Sequence, residues 1–98
     1  MTRQVRLLPA ARREYDDAVV WYESGRAGEG EKFLVAVRET LGRIAAARNL
    51  HQVVYRAVRR AVVTGYPYIV LYQDLGDEVI VISVFHTSRN PSIWKKRV

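Results

Sequence analysis

The apolar residues of this chain change their period once, near residue 50, and that change restricts the fold more than any other feature. Before it, Ala11, Tyr15, Ala18, Val19 and Tyr22 recur at i, i+4, i+7, i+8 and i+11, which is one face of a helix. Phe33, Leu34, Val37, Leu41, Ile44 and Ala45 form a second stripe of the same kind. Pro9 suits the first turn of the first helix, where its missing N–H is not needed, and the three glycines of "SGRAGEG" end it. Glu29 and Glu31 lie near the positive end of the second helix and Arg43 and Arg48 toward its negative end, which predicts a stop near Asn49. After "ARNLHQ" the runs Val53–Val63, Tyr66–Gln73 and Val79–Phe85 are rich in Val, Ile, Tyr and Phe and are separated by "TG" and "LGD". They read as three strands in tight hairpins, with Gly65 and Gly76 supplying the backbone freedom such turns need. The opening run "RQVRLL", closed by Pro9, reads as one more strand.

The expected order is β-α-α-β-β-β. Two helices in succession return the chain to the end it left, so the first strand should run opposite to the second. The fold class that follows is α+β, a helical hairpin packed on one face of a mainly antiparallel four-stranded sheet, with all 98 residues in one domain. Such a sheet leaves its second face uncovered, yet the strands do not look half-wet. Ile80, Ile82 and Val84 alternate with Val79, Val81 and Phe85, and Ile69 and Leu71 alternate with Tyr66, Tyr68, Val70 and Tyr72, so both faces are apolar. The second face is expected to be covered partly by the C-terminal tail and partly by a partner.

Charge adds a direction. The formal net charge is +6, and residues 50–98 hold seven basic side chains against three acidic ones, all three acids within "DLGDE". Such a field suits a polyanion or an acidic protein. There is no cysteine, and the two histidines, His51 and His86, are far apart in sequence, so no cofactor and no protein metal site is expected. "MTRQVRLLPAARREY" has no apolar leader and no run long enough for a bilayer, which predicts a cytoplasmic protein without membrane contact. No glycine-rich phosphate loop, HExxH, GxSxG or EF-hand pattern is present. Asp16 and Asp17 are neighbours on a helix and point apart, and His51 reads as a surface loop side chain.

What remains is basic and aromatic: Arg56, Arg59 and Arg60, then Tyr66, Tyr68 and Tyr72, then His86, Arg89, Trp94, Lys95, Lys96 and Arg97. Alternation puts Arg56 and Arg60 on one face of their strand and Arg59 on the other. Arginines beside aromatic rings can grip phosphates and stack bases. His86 with Arg56, Arg60 and Arg89 supplies the base and cations that a metal-free nuclease needs, and these four are the catalytic candidates. Taken singly, each has a structural reading as well: His86 bonding a backbone carbonyl, Arg89 capping the sheet, Trp94 locking the tail onto the helix–sheet layer.

The combination is more specific than its parts. "GYPYIVLYQDLGDEVIVISVFHTSRNPSIW" after a basic strand resembles the C-terminal half of the ParE/RelE superfamily of bacterial toxins, and "ARREYDDAVVWYES" is similar to that family's first helix. The resemblance implies a helical hairpin on an antiparallel sheet and the toxin half of a type II toxin–antitoxin pair. It also implies a ParD-like antitoxin partner with an acidic C-terminal segment, with DNA contacted only through that antitoxin. RelE-like members cleave mRNA on the ribosome with basic side chains and, in many, a C-terminal tyrosine or histidine; ParE-like members inhibit DNA gyrase. No tyrosine follows Tyr72, and the lysine pair occurs only in the tail as Lys95 and Lys96, so the chain departs from the RelE set and the ParE-like branch is expected. The residues expected to meet the target are Arg56, Arg59, Arg60, Arg89, Lys95 and Lys96; those expected to meet the antitoxin are Tyr66, Tyr68, Tyr72 and Trp94. A ribosome-dependent nuclease, and a non-toxic relic that only binds its antitoxin and regulates their promoter, are the alternatives.

Overall fold

Pro9 opens α1 (Pro9–Gly25), where φ near −60° is already helical and no backbone donor is wasted. The computed structural model describes residues 3–47 and 50–98. After the glycine-rich turn the chain re-enters a helix, α2 (Glu29–Ala46), with Glu29 and Glu31 in its first turn and Arg43 in its last. Glu23 of α1 accepts the N–H groups of Gly28 and Gly30, so α1 caps the start of its neighbour. Arg3 does the same at the other end, donating to the carbonyls of Ile44 at 2.8 Å and Ala47 at 3.0 Å, and pairs with Asp74. Ala46 is the last residue of α2, earlier than the stop expected near Asn49, which with Arg48 lies outside the described residues.

The sheet has five strands, not four. β1 (Gln4–Leu7), β2 (Val53–Tyr55), β3 (Val58–Val62), β4 (Tyr68–Asp74) and β5 (Glu78–His86) stand in the order β1-β5-β4-β3-β2. The run Val53–Val63 is broken by a two-residue turn at Arg56–Ala57, where Arg56 takes φ of 51°. A non-glycine residue there costs roughly 1–2 kcal/mol, and Arg56–Ala57 holds none of the Gly, Asn or Asp that mark such a turn in a sequence. The extra reversal has a topological effect. β2 runs opposite to β1, as expected, but β3 and β5 now run with β1, and β1 pairs with β5 in parallel, Leu7 opposite Val81. The remaining pairs are antiparallel. The β4–β5 turn contains Gly76 at φ 92° and the turn before β4 contains Gly65 at φ 87°, a conformation other residues adopt only at a cost.

Two apolar layers enclose the sheet. Ala11, Tyr15 and Ala18 of α1 and Phe33, Val37 and Ile44 of α2 pack on Ala61, Val70, Tyr72, Val79, Val81 and Val84. Tyr15 also donates its hydroxyl to the Leu34 carbonyl at 3.0 Å, tying the two helices together. On the opposite face Val58, Leu71, Ile80, Ile82 and Phe85 are covered by Trp94, which sits in the short helix α3 (Ser92–Lys95). The tail therefore does cover the second face, but Trp94 lies on the far side of the sheet from the helical hairpin, where it was not expected. A bulge shapes both layers: Leu71 pairs with Ser83 and Tyr72 with Val81, leaving Ile82 as an extra residue. Strict alternation would have grouped Val84 with Ile80 and Ile82; the bulge turns Val84 to the helices and Phe85 away from them.

Candidate functional site

The bulge in β5 decides where His86 points. Two residues beyond Val84, it faces α1 and lies opposite Tyr68, whose ring meets it edge-on with centroids 5.0 Å apart. Its Nδ1 accepts the Ser88 backbone N–H at 3.1 Å and lies 2.7 Å from the Ser88 hydroxyl, so the neutral ring carries its proton on Nε2. Arg89 follows in the same turn, half exposed, with Nη1 3.6 Å from Glu14 Oε2. Together with Trp21, Tyr22 and Pro67 these residues line a groove of about 410 Å³ between α1 and the end of the β4–β5 pair. Trp21 in this groove is 68 % exposed. Burial pushes the Tyr68 phenol above its usual range, with Arg89 opposing and Glu14 adding, so its hydroxyl stays protonated at neutral pH.

Glu14 was not legible as important and is the hub of this end of the molecule. β1 pairs only as far as Val81, so the rest of β5 has no strand on that side. Glu14 takes the vacant position: it accepts from Ser83 Oγ at 2.8 Å, the Val84 N–H at 3.3 Å and both terminal nitrogens of Arg97 at 2.9 and 3.1 Å. Arg97 donates in addition to the Ile82 carbonyl at 3.0 Å. The carboxylate thus joins α1, the sheet edge and the C-terminal tail. A glutamate in a helical first half carries no signal of such a distant partner.

A second groove of about 340 Å³ lies on the far face, between Arg60 of β3, Ile69 and Leu71 of β4, Phe85 and Thr87, and Pro91, Trp94 and Lys95 of the tail. Beside it the Tyr55 ring is flanked by the Arg56 guanidinium at 5.3 Å, the Lys95 ammonium at 5.1 Å and the edge of Trp94 at 5.8 Å. The four catalytic candidates are therefore not brought together. His86 and Arg89 line the groove beside α1, whereas Arg60, opposite Leu71, lies on the other side of the sheet with Arg56 near it in the β2–β3 turn.

The remaining expectations divide. Lys95 and Lys96 are exposed, as a target contact requires. Arg59 is half-buried on the helix side, donating to the His51 carbonyl at 2.6 Å. Tyr66 and Tyr68 keep some accessible surface, whereas Tyr72 and Trp94, expected as antitoxin contacts, are 1 % and 4 % exposed and act as core. His51 is not a free surface side chain. Burial, and then Arg43 and Arg59, lower its pKa, and its Nδ1 lies 2.8 Å from the Tyr72 hydroxyl, whose own pKa burial raises. A neutral imidazole accepting from a protonated phenol fits both shifts. Among the described residues no cluster of three or more His, Asp or Glu side chains could hold a metal ion, and no helix is long and apolar enough to cross a membrane.

With this geometry in place, comparison gives a consistent result. The solved structure described as "Chromosomal ParDE TA system from P. aeruginosa" shares the fold with a TM-score of 0.76 at 13 % identity, covering 89 % of this chain and 98 % of that one. No curated protein matches in sequence. The model of the family described as ParE toxin of type II toxin-antitoxin system, parDE, matches residues 5–91, which take in both long helices, most of β1, β2 to β5 and the turn holding His86 and Arg89. The chain belongs to the ParE toxin family.

Proposed function

We propose that this protein is a toxin that acts by binding, with DNA gyrase as its target, and that a co-encoded antitoxin with an acidic C-terminal segment neutralises it in the cytoplasm. The observation that carries the reading is the division of the candidate residues by the sheet. A metal-free nuclease needs its base and its phosphate-holding cations around one scissile bond. His86 lies on the α1 side, engaged by Ser88, with Arg89 beside it near Glu14 as the single candidate cation on that side, and Arg56 and Arg60 lie on the other side or its edge. A binding toxin has no such requirement, because separate patches can meet separate parts of a large partner. DNA would be reached only through the antitoxin.

The test is expression in a bacterial host with and without the neighbouring antitoxin gene. Double-strand breakage and SOS induction, relieved by the antitoxin, are expected. Cleavage of messages at codon boundaries would replace this reading with the ribosome-dependent nuclease, and growth without either response would leave a relic that only binds its antitoxin.

A further inference from the structure

Ser24, Thr40 and Tyr15 donate their hydroxyl groups to backbone carbonyls at 2.8, 3.0 and 3.0 Å, and Ser83 donates to the Glu14 carboxylate at 2.8 Å. Two hydroxyls meet an imidazole instead: Tyr72 lies against His51, and Ser88 against His86. Tyr72 is 1 % exposed and closed to any reagent, whereas Ser88 is exposed in the turn after β5. The direction of the Ser88 hydrogen bond is fixed by its own backbone. His86 Nδ1 accepts the Ser88 N–H at 3.1 Å and so carries no proton, which makes the hydroxyl 2.7 Å away a donor to the same nitrogen. A hydroxyl that donates to a neutral imidazole is the arrangement that activates serine for nucleophilic attack.

We propose that Ser88 is a nucleophile toward aryl esters, with His86 as its general base, and that the chain is acylated there. The groove of about 410 Å³ that holds both residues is walled by Trp21, Tyr22 and Pro67, which offer apolar surface to an aromatic ring. Ser88 Oγ adds to the acyl carbon, its proton passes to His86 Nδ1, and the carbonyl electron pair moves onto oxygen. Collapse of this adduct breaks the bond to the leaving group, expels a phenolate and leaves an ester on Ser88, after which the imidazolium loses its proton to solvent. Glu14 and Asp17 line the adjoining cavity of about 250 Å³ together with His86, so the positive charge on the ring develops beside carboxylates. The backbone donors of the turn are already engaged, Thr87 with the Pro67 carbonyl at 2.9 Å and Arg89 with the His86 carbonyl at 3.1 Å. That leaves the half-exposed Arg89 side chain, in the same groove, to meet the oxyanion. A serine ester expels its alkoxide far less readily than an aryl ester expels a phenolate, so acylation outruns hydrolysis and the modified chain accumulates. The proposal concerns the chemistry of one hydroxyl and stands whether or not gyrase is the target.

The test incubates the purified full chain with p-nitrophenyl acetate and follows nitrophenolate release, intact mass and peptide maps. A burst of nitrophenolate equal to the chain concentration is expected, followed by slow release, with the acetyl group mapped to Ser88. Ser88→Ala should abolish the burst. His86→Gln should slow it by roughly 10²–10⁴-fold, the range for removing a general base, with the circular dichroism spectra of both variants unchanged. Trp21→Ala should raise the ester concentration that gives half the limiting rate and leave the limiting rate nearly as it was, since only binding surface is removed. A further measurement on the unaltered chain needs no substitution: the burst rate should fall on acidification along the same curve as the His86 ring-proton NMR signal. Acetyl groups found only on lysines or the N-terminus would overturn the proposal. So would a burst undiminished in Ser88→Ala or in a folded His86→Gln protein, or a burst rate that ignores the His86 titration.

Discussion

Replacing Glu14 with alanine should be among the most damaging single changes in this protein. The carboxylate receives four hydrogen bonds, from Ser83, the Val84 backbone and Arg97, with Arg89 nearby, and its side chain is 11 % exposed. Removing it strips Arg97 of its anion and leaves the Ser83 hydroxyl and the Val84 N–H without the acceptor they use. Breaking a buried charge pair by deleting one partner costs about 3–5 kcal/mol. Because Arg97 retains 19 % exposure and water can partly replace the lost anion, the lower end, about 3 kcal/mol, is the better expectation. Against a total stability of about 5–15 kcal/mol this is a large fraction, and at about 4–8 °C per kcal/mol for a domain of this size it lowers the melting midpoint by roughly 12–24 °C. Urea unfolding followed by far-ultraviolet circular dichroism gives the value directly. A double-mutant cycle with Arg97→Ala then isolates the pair, with coupling of about 1–3 kcal/mol expected. A Glu14→Ala cost below about 0.5 kcal/mol, or strict additivity with Arg97→Ala, would refute the assignment of Glu14 as the joint between α1, β5 and the tail.

Trp94→Ala should cost about 3–5 kcal/mol and reduce soluble yield, since it uncovers Leu71, Ile82 and Phe85 on the far face; an equally stable variant would count against α3 as a lid on that layer. His51 should make stability depend on pH. Its folded pKa is lowered by burial, so its contribution is complete above the unfolded value of about 6.5 and is lost as pH falls through that value toward the lower folded one. The urea midpoint should therefore drop below about pH 6.5, and His51→Asn should flatten that part of the profile. His86→Gln should leave toxicity nearly intact, whereas a nuclease would lose roughly 10²–10⁴-fold on losing its base; loss of growth inhibition in a folded His86→Gln protein, still bound by its antitoxin, would favour the nuclease.

The sequence was most legible where one local signal acted alone. The two helical stripes, their end charges and the glycine turns follow from spacing, and they placed Phe33, Val37 and Ile44 in the core correctly. Legibility failed where a single backbone irregularity rearranged everything after it. Arg56 in a left-handed conformation has no glycine, asparagine or proline to announce it, and missing that turn gave one strand in place of two and hid the parallel β1–β5 pair. The bulge at Ile82 is likewise silent in a run of alternating aliphatics, yet it moves Phe85 to the far face and His86 to the α1 groove. The candidate residues are basic and aromatic, and their division between two faces depends on these two irregularities. Glu14, Arg97 and the His51–Tyr72 contact join positions too distant in sequence for any local pattern to connect them.

The most direct measurement of the central claim is a pair of assays on one purified preparation of toxin: DNA gyrase supercoiling and cleavage on a plasmid, and message cleavage on programmed ribosomes. Action by binding predicts that gyrase is inhibited or trapped in its cleavage complex, that His86→Gln behaves as wild type, and that messages on ribosomes stay intact. Unaffected gyrase together with ribosome-dependent cleavage that His86→Gln abolishes would contradict it.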